Sequence, residues 1–263
     1  MLTLTDIGAN LADASFDKDR DDVIARARSA GVTRMIITGS SIDSNVAAAE
    51  LATAQPGLGF TAGVHPHHAK DLDDAALQTL RGQMAHPKIN AAGECGLDYF
   101  RNLSDKQQQA DAFAKQLDLA IEHQLPVFLH QRDAHDDFMA ILKPRLGELT
   151  RAVAHCFTAG ERELDDYLAH DLYIGITGWI CDERRGKHLL DLVPRIPAER
   201  LMIESDAPYL MPRSLRPKPD TRRNEPCWLT ETARVVAQAR NQSVEDLASQ
   251  TNATASQFFN LPE

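Results

Sequence analysis

Short apolar runs alternate with amphipathic stretches along almost the whole chain. The runs are Leu2 to Asn10, Met35 to Gly39, Gly59 to His65, Ile89 to Glu94, Pro126 to His130, Ala152 to His155, Leu172 to Thr177 and Leu201 to Asp206. Several are apolar on both faces, as strands buried on both sides should be. Between them lie stretches with helical spacing. Residues 17–30 are the first, with Val23, Ala27 and Ala30 at i, i+4 and i+7, and 43–54, 71–85, 105–124, 134–148, 160–170 and 183–194 follow. Two more, 225–240 and 243–259, come after the last run.

Strands alternating with helices predict an α/β protein with a parallel sheet. Eight runs between residues 2 and 206 fit a closed (β/α)8 TIM barrel better than an open doubly wound sheet. No glycine-rich phosphate fingerprint follows the first run to support the open sheet. The Pro- and Arg-rich stretch 212–226 reads as a loop on the catalytic face, since too little chain remains for a second domain. The expectation is one barrel domain over residues 1–263.

Composition narrows this picture. Of 263 residues, 43 % are hydrophobic and 25 % charged, which is globular. The net charge of −10 excludes a protein that grips nucleic acid through a broad basic face, so a polyanionic substrate must be held locally by a metal and a few arginines. Cys95, Cys156, Cys181 and Cys227 are widely scattered without C-x-x-C spacing, which reads as reduced thiols in a cytoplasmic protein. The first residues lack the pattern of a signal peptide, and no run approaches the ~18 apolar residues of a membrane span. No obligate protein partner is evident.

In a βα barrel, polar residues at the carboxyl ends of strands converge on one mouth. Three runs end in Glu94, His130 and His155, and the last ends in Asp206. A carboxylate and two imidazoles closing apolar runs are costly to bury unless they share a cation or a network. Such a mixed set suits Zn2+ or Mn2+ better than Ca2+, whereas Mg2+ prefers oxygen ligands and water. Asp206 lies two residues after Glu204, on the same side of the strand and nearer the mouth, where it can ligate a metal or take a proton from water. Glu204 reads as a buried, hydrogen-bonded barrel residue. His65 and His67 flank Pro66 at the end of the third run, with His65 placed to donate to a phosphate. Arg132, Arg184, Arg185, Arg222 and Arg223 follow strands on this face and are candidates for clamping phosphate oxygens. Trp179 and Tyr209 share the rim and could stack bases.

The motifs resemble the TatD family of metal-dependent deoxyribonucleases. Those carrying the resemblance are Ala62 to His67, Gly93 to Asp98, Phe128 to His130, His155 to Phe157, Gly175 to Trp179, Cys181 to Gly186, Glu204 to Tyr209 and Arg222 to Pro226. The resemblance implies a barrel of the amidohydrolase-like, metal-dependent hydrolase type. It implies hydrolysis of phosphodiester bonds by a 3′–5′ exonuclease on single-stranded DNA, with RNA as a further substrate, and a part in DNA repair or degradation. It implies a divalent ion, Mg2+ first, with Mn2+ or Zn2+ as alternatives. Glu94, His130, His155 and Asp206 match metal-binding positions, and Glu94, Asp206 and His65 the catalytic ones. His65, His67, Arg132, Arg184 and Arg223 would contact substrate. Many relatives carry His-x-His at the end of strand 1, where this chain has Gly8-Ala-Asn10. One firm metal site, with a second weak or absent, is therefore expected. The same metal set would also serve an amidohydrolase or esterase acting on a small molecule or an aminoacyl-RNA.

Overall fold

The computed structural model describes residues 2–261. Met1, Pro262 and Glu263, part of the expected 1–263 span, lie outside the described residues. Eight parallel strands form one sheet in sequence order: β1 (Leu4–Ala9), β2 (Val32–Ile37), β3 (Leu58–Ala62), β4 (Ile89–Asp98), β5 (Val127–Arg132), β6 (Ala152–Ala154), β7 (Tyr173–Ile176) and β8 (Leu201–Ile203). The sheet closes on itself through Asp206 N–H to the Gly8 carbonyl (2.8 Å) and Asn10 N–H to the Ala207 carbonyl (2.7 Å). The expected (β/α)8 barrel is the fold observed. Among the described residues no helix is long and apolar enough to cross a membrane.

The outer layer is α1 (Arg20–Ser29), α2 (Ile42–Ala54), α3 (Asp74–Met84), α4 (Lys106–Glu122), α5 (His135–Leu142), α6 (Glu161–Ala169), α7 (Leu189–Leu192), α8 (Leu229–Ala239) and α9 (Val244–Phe259). Side-chain caps set several starts: Ser41 and Ser44 form a capping box on α2, Asp105 and Gln108 one on α4, and Ser243 accepts from the backbone of α9. Two expected helices are shorter than their apolar spacing suggests. The 134–148 stretch leaves α-helical geometry at Leu142, where Pro144 lies in a 3-10 turn. The 183–194 stretch is mostly turns, with one helical turn at its end. There the Asp182 carboxylate takes the backbone N–H groups of Arg184 and Arg185, an alternative to helix that aspartate favours.

Inside the barrel, Ile7, Ile36, Ala91, Phe128, Val153, Tyr173 and Met202 form a core separate from the one between sheet and helices. Phe258 and Phe259 of α9 pack against it, with the Phe258 ring 5.0 Å from Tyr173. The Asn90 side chain donates to the Phe259 carbonyl, which places α9 at the amino end of β4. That end is closed. The carboxyl end carries the polar residues.

Candidate functional site

Strand alternation brings most of the site together. Phe128 and His130, Val153 and His155, and Met202 and Glu204 are each two residues apart, so each pair faces one side, whereas Asp206 lies beyond the end of β8 in left-handed backbone, with φ 52°. Glu94 depends on a register shift in the pairing of β4 with β5 between Gly93 and Cys95. Such a bulge re-aims side chains beside it.

Three imidazoles converge on a single carboxylate oxygen. Glu94 Oε1 lies 2.7 Å from His155 Nε2, 2.9 Å from His130 Nδ1 and 3.4 Å from His65 Nε2. Burial alone would raise the Glu94 carboxyl, but His155, His65 and His130 hold it well below its ordinary range. Each of the first two histidines has a second carboxylate behind it. His155 Nδ1 faces Glu204 Oε2 at 3.2 Å, and His130 Nε2 faces Asp98 Oδ2 at 3.6 Å. Burial disfavours the charged imidazole at both positions. Glu94 and Glu204 nonetheless raise His155 well above its usual range, and Asp98 and Glu94 raise His130.

This donor set fits a divalent cation. A metal-ligating histidine almost always turns its other nitrogen to a carboxylate, carbonyl or water, which fixes the tautomer and the ring. His130 and His155 both do so. The His130 contact is the looser of the two, since Nε2 stands 3.6 Å from Asp98 Oδ2 and makes no hydrogen bond there.

His65 is close enough to join such a site, since its ligand atom lies within 4.8 Å of those of Glu94 and His130. Its ring chemistry argues otherwise. His65 Nδ1 accepts the His67 backbone N–H at 3.0 Å, so the proton of the neutral ring sits on Nε2. Burial pushes its pKa well down, which keeps it neutral. A neutral imidazole with its proton on Nε2, here 3.4 Å from Glu94 Oε1, acts as a donor to an anionic oxygen and not as a ligand.

Asp206 stands at the side of this group. Asn10 Nδ2 donates to its Oδ1 at 3.0 Å, which gives Asn10 a role the sequence left open. Burial, then Glu94 and Glu204, push the Asp206 carboxyl up to about 7. Glu204, fully buried, accepts from the Cys156 backbone N–H as well as facing His155. Two glycines make its room. A Cβ at Gly8 would overlap Glu204 Oε2, and one at Gly175 would lie 2.6 Å from Oε1.

Asp98 was missed in the sequence. It is 1 % exposed and accepts from Arg101 N–H at 2.8 Å, while His67 Nε2 lies 2.8 Å from it. Its signal was available: Glu94, Gly96 and Asp98 alternate, so the two carboxylates share a face. His67 thus braces Asp98 instead of pointing freely at substrate.

The rim arginines differ. Arg223, expected among the phosphate contacts, is tied to Asp19 (2.6 Å), Glu225 (3.1 Å) and the Ser15 carbonyl (2.7 Å). It joins the strand-8 loop to the chain before α1 and has little freedom to reach a phosphate. Arg184 is exposed, 3.8 Å from Asp182, and Arg185 bonds Asp182 at 2.9 Å while covering the Trp179 ring. Arg132 stacks on Phe100, 3.8 Å from its ring centroid, and no carboxylate among the described residues engages it.

Barrel and site together define a hydrolase of the kind that works at the carboxyl end of a βα barrel. The family model described as TatD related DNase matches residues 5–260, and the chain belongs to that family. It is 52 % identical over 258 residues to a protein of Erwinia billingiae named 3′-5′ ssDNA/RNA exonuclease TatD, covering 98 % of this chain and 99 % of that one. It is 53 % identical over 257 residues to the protein of the same name from Erwinia tasmaniensis, covering 97 % and 99 %. Among solved structures, a TatD family hydrolase from Entamoeba histolytica superposes with TM-score 0.88 at 27 % identity, over 98 % of this chain and 99 % of that one. A TatD homologue from Escherichia coli K12 superposes with TM-score 0.89 at 26 % identity, over 98 % of each.

Proposed function

We propose that the protein is a metal-dependent 3′–5′ exonuclease that hydrolyses phosphodiester bonds in single-stranded DNA, and in RNA, with a part in DNA repair or degradation. The observation that carries this is the pair of carboxylate-backed histidines closing on Glu94, in a chain half identical to proteins named for that activity. Glu94, His130 and His155 would hold one divalent cation, with Asp206 beside them. A cation there would draw charge from the phosphoryl oxygens and acidify the attacking water.

The remaining steps belong to the chain. Asp206 orients the attacking water and accepts its proton. His65 donates Nε2–H to a phosphoryl oxygen as negative charge grows there. Arg132 and Arg184 offer guanidinium groups to neighbouring phosphates. Asp98 and Glu204 hold the two histidine rings, and His67 holds Asp98.

Strand β1 favours one cation over two. Gly8 offers no ligand atom and its space is taken by Glu204, while the Asn10 amide donates to Asp206. Mg2+ is the first ion to test, with Mn2+ and Zn2+ beside it. Four free cysteines and the lack of a spanning helix among the described residues support a cytoplasmic location.

The deciding experiment incubates the enzyme with single- and double-stranded oligonucleotides labelled at either end, across the three ions, with EDTA as control. Stepwise shortening from the 3′ end of single strands is expected. Metal-dependent hydrolysis of esters or amides with intact oligonucleotides would replace this reading by the amidohydrolase one.

A further inference from the structure

The barrel mouth carries two open aromatic faces. Phe100 is 59 % and Tyr209 56 % exposed. Phe100 follows the end of β4 by two residues, and Tyr209 follows Asp206 by three, its N–H on the Asp206 carbonyl at 2.8 Å. In a barrel ordered β1 to β8, strands 4 and 8 stand opposite each other. The two rings therefore rise from opposite walls, with the Glu94–His130–His155 cluster between those walls. Single exposed aromatics are ordinary on a protein surface. Two on opposing rims of one mouth, one backed by a guanidinium without a carboxylate partner, are a more specific arrangement.

The neighbouring aromatics are closed. Tyr99 donates its hydroxyl to Asp137 and lies under Lys106 Nζ at 4.1 Å. Trp179 lies under Arg185 and donates Nε1–H to the Arg185 carbonyl, so the stacking surface expected of it is occupied. Phe100 has no polar group to be tied down, and it stays 59 % exposed although Arg132 lies 3.8 Å from its ring centroid. Arg132 covers one part of its ring and the rest faces solvent. The β4–β5 register pairs Gly96 with His130 and Asp98 with Arg132, so the Phe100–Arg132 stack sits one step outward from the His130–Asp98 pair.

We propose that Phe100, with Arg132 behind it, and Tyr209 are stacking platforms for the two nucleobases flanking the phosphodiester bond that is cleaved. The inference rests on the exonuclease reading above. Every base has a π-face, so stacking of this kind tolerates any sequence. It demands that neighbouring bases leave their own stack, which a single strand permits at small cost and a duplex resists. The unpaired Arg132 guanidinium supplies charge for the phosphate next to the base on Phe100. Preference for single strands would then be built into the mouth.

The test is a cycle between protein and substrate. Wild type, Phe100→Ala, Phe100→Tyr and Tyr209→Ala would be assayed on a normal single strand and on strands abasic at the terminal or second 3′ position. Each alanine variant should raise KM on normal DNA by on the order of tenfold, with kcat little changed. Removing the matching base should raise the wild-type KM by a similar factor and leave the alanine variant unaffected. Phe100→Tyr should restore both the KM and the sensitivity to base loss. A variant with lost packing alone would stay as sensitive to base loss as wild type. Wild-type KM in the alanine variants, or undiminished sensitivity to base loss, overturns the platforms while leaving the exonuclease standing. Wild type that shortens no strand with any of the three ions overturns both.

Discussion

The two ends of the barrel interior are made by the same strands and differ in almost every side chain. Toward the amino end stand Phe128, Val153 and Met202, sealed by Phe258 and Phe259. Two residues along each strand, ~7 Å further up, stand His130, His155 and Glu204. The apolar end needs only volume and shape, which hydrophobic burial rewards without regard to direction. The polar end buries carboxylates and imidazoles whose burial is costly, and each is placed by a named partner. Stability is thus concentrated at one end and chemistry at the other, and substitutions at the two ends should separate the two properties.

The largest effect is expected at the polar end. Glu94→Gln removes the charge on which three imidazoles converge. Turnover on single-stranded DNA should fall on the order of a thousandfold, and calorimetric titration with Mn2+ should lose its binding heat. The thermal midpoint should stay close to wild type, since the apolar core is untouched. Near-normal turnover in Glu94→Gln would show that the cluster is a structural network and not the reacting centre.

Phe258→Ala reverses the pattern. Its ring is fully buried against Tyr173 and Phe259. Truncation should cost about 3–5 kcal/mol in urea unfolding. The protein that remains folded should keep its turnover within a few-fold of wild type. A large loss of turnover in that folded fraction would mean that the two ends are coupled, and the division drawn above would fail.

The sequence revealed these two ends unequally. All eight strands and most helices were legible because burial on both faces leaves short apolar runs that helical spacing interrupts. Glu94, His130 and His155 were legible because a charge closing an apolar run violates that pattern. Asp98 was less visible, since reading it required following strand alternation past Glu94. The pairing of Arg223 with Asp19 joins residues 204 positions apart, and nothing local marks it. Phe100 was hidden for a simpler reason: a loop aromatic carries no sign of whether its face is open, as here, or covered, as in Trp179.

Gly8→Ala probes the boundary between the two ends. The new methyl would meet Glu204 Oε2 on one side and Phe128 Cζ, at 3.0 Å, on the other. Glu204 has little room to yield, because His155 and the Cys156 N–H hold it. Displacing it should disturb His155 and lower turnover by about ten- to a hundredfold, with about 1–3 kcal/mol lost in unfolding. Wild-type turnover would show that the Glu204–His155 contact does not position the site.

Asp166→Asn tests the outer layer, where neither end should respond. Asp166 lies 2.9 Å from His135 Nε2 and 3.1 Å from Lys143 Nζ, joining α6 to α5 and the turn after it. Burial would raise its carboxyl, but Lys143 and His135 hold it below the ordinary range. A carboxylate lowered in the folded state adds stability above its unfolded pKa and loses it as pH falls through the folded value. The variant should therefore be less stable than wild type by about 1 kcal/mol at pH 7, a figure already reduced for solvent screening. The gap should narrow as pH drops below about 4.5, while turnover at neutral pH stays at the wild-type level. Urea unfolding of both proteins from pH 7 down to about pH 2, through the range in which the folded carboxyl protonates, reads this directly. A gap independent of pH would assign the contribution of Asp166 to packing and neutral hydrogen bonds, and the ion pair between α5 and α6 would drop out of the account of how the outer layer is held.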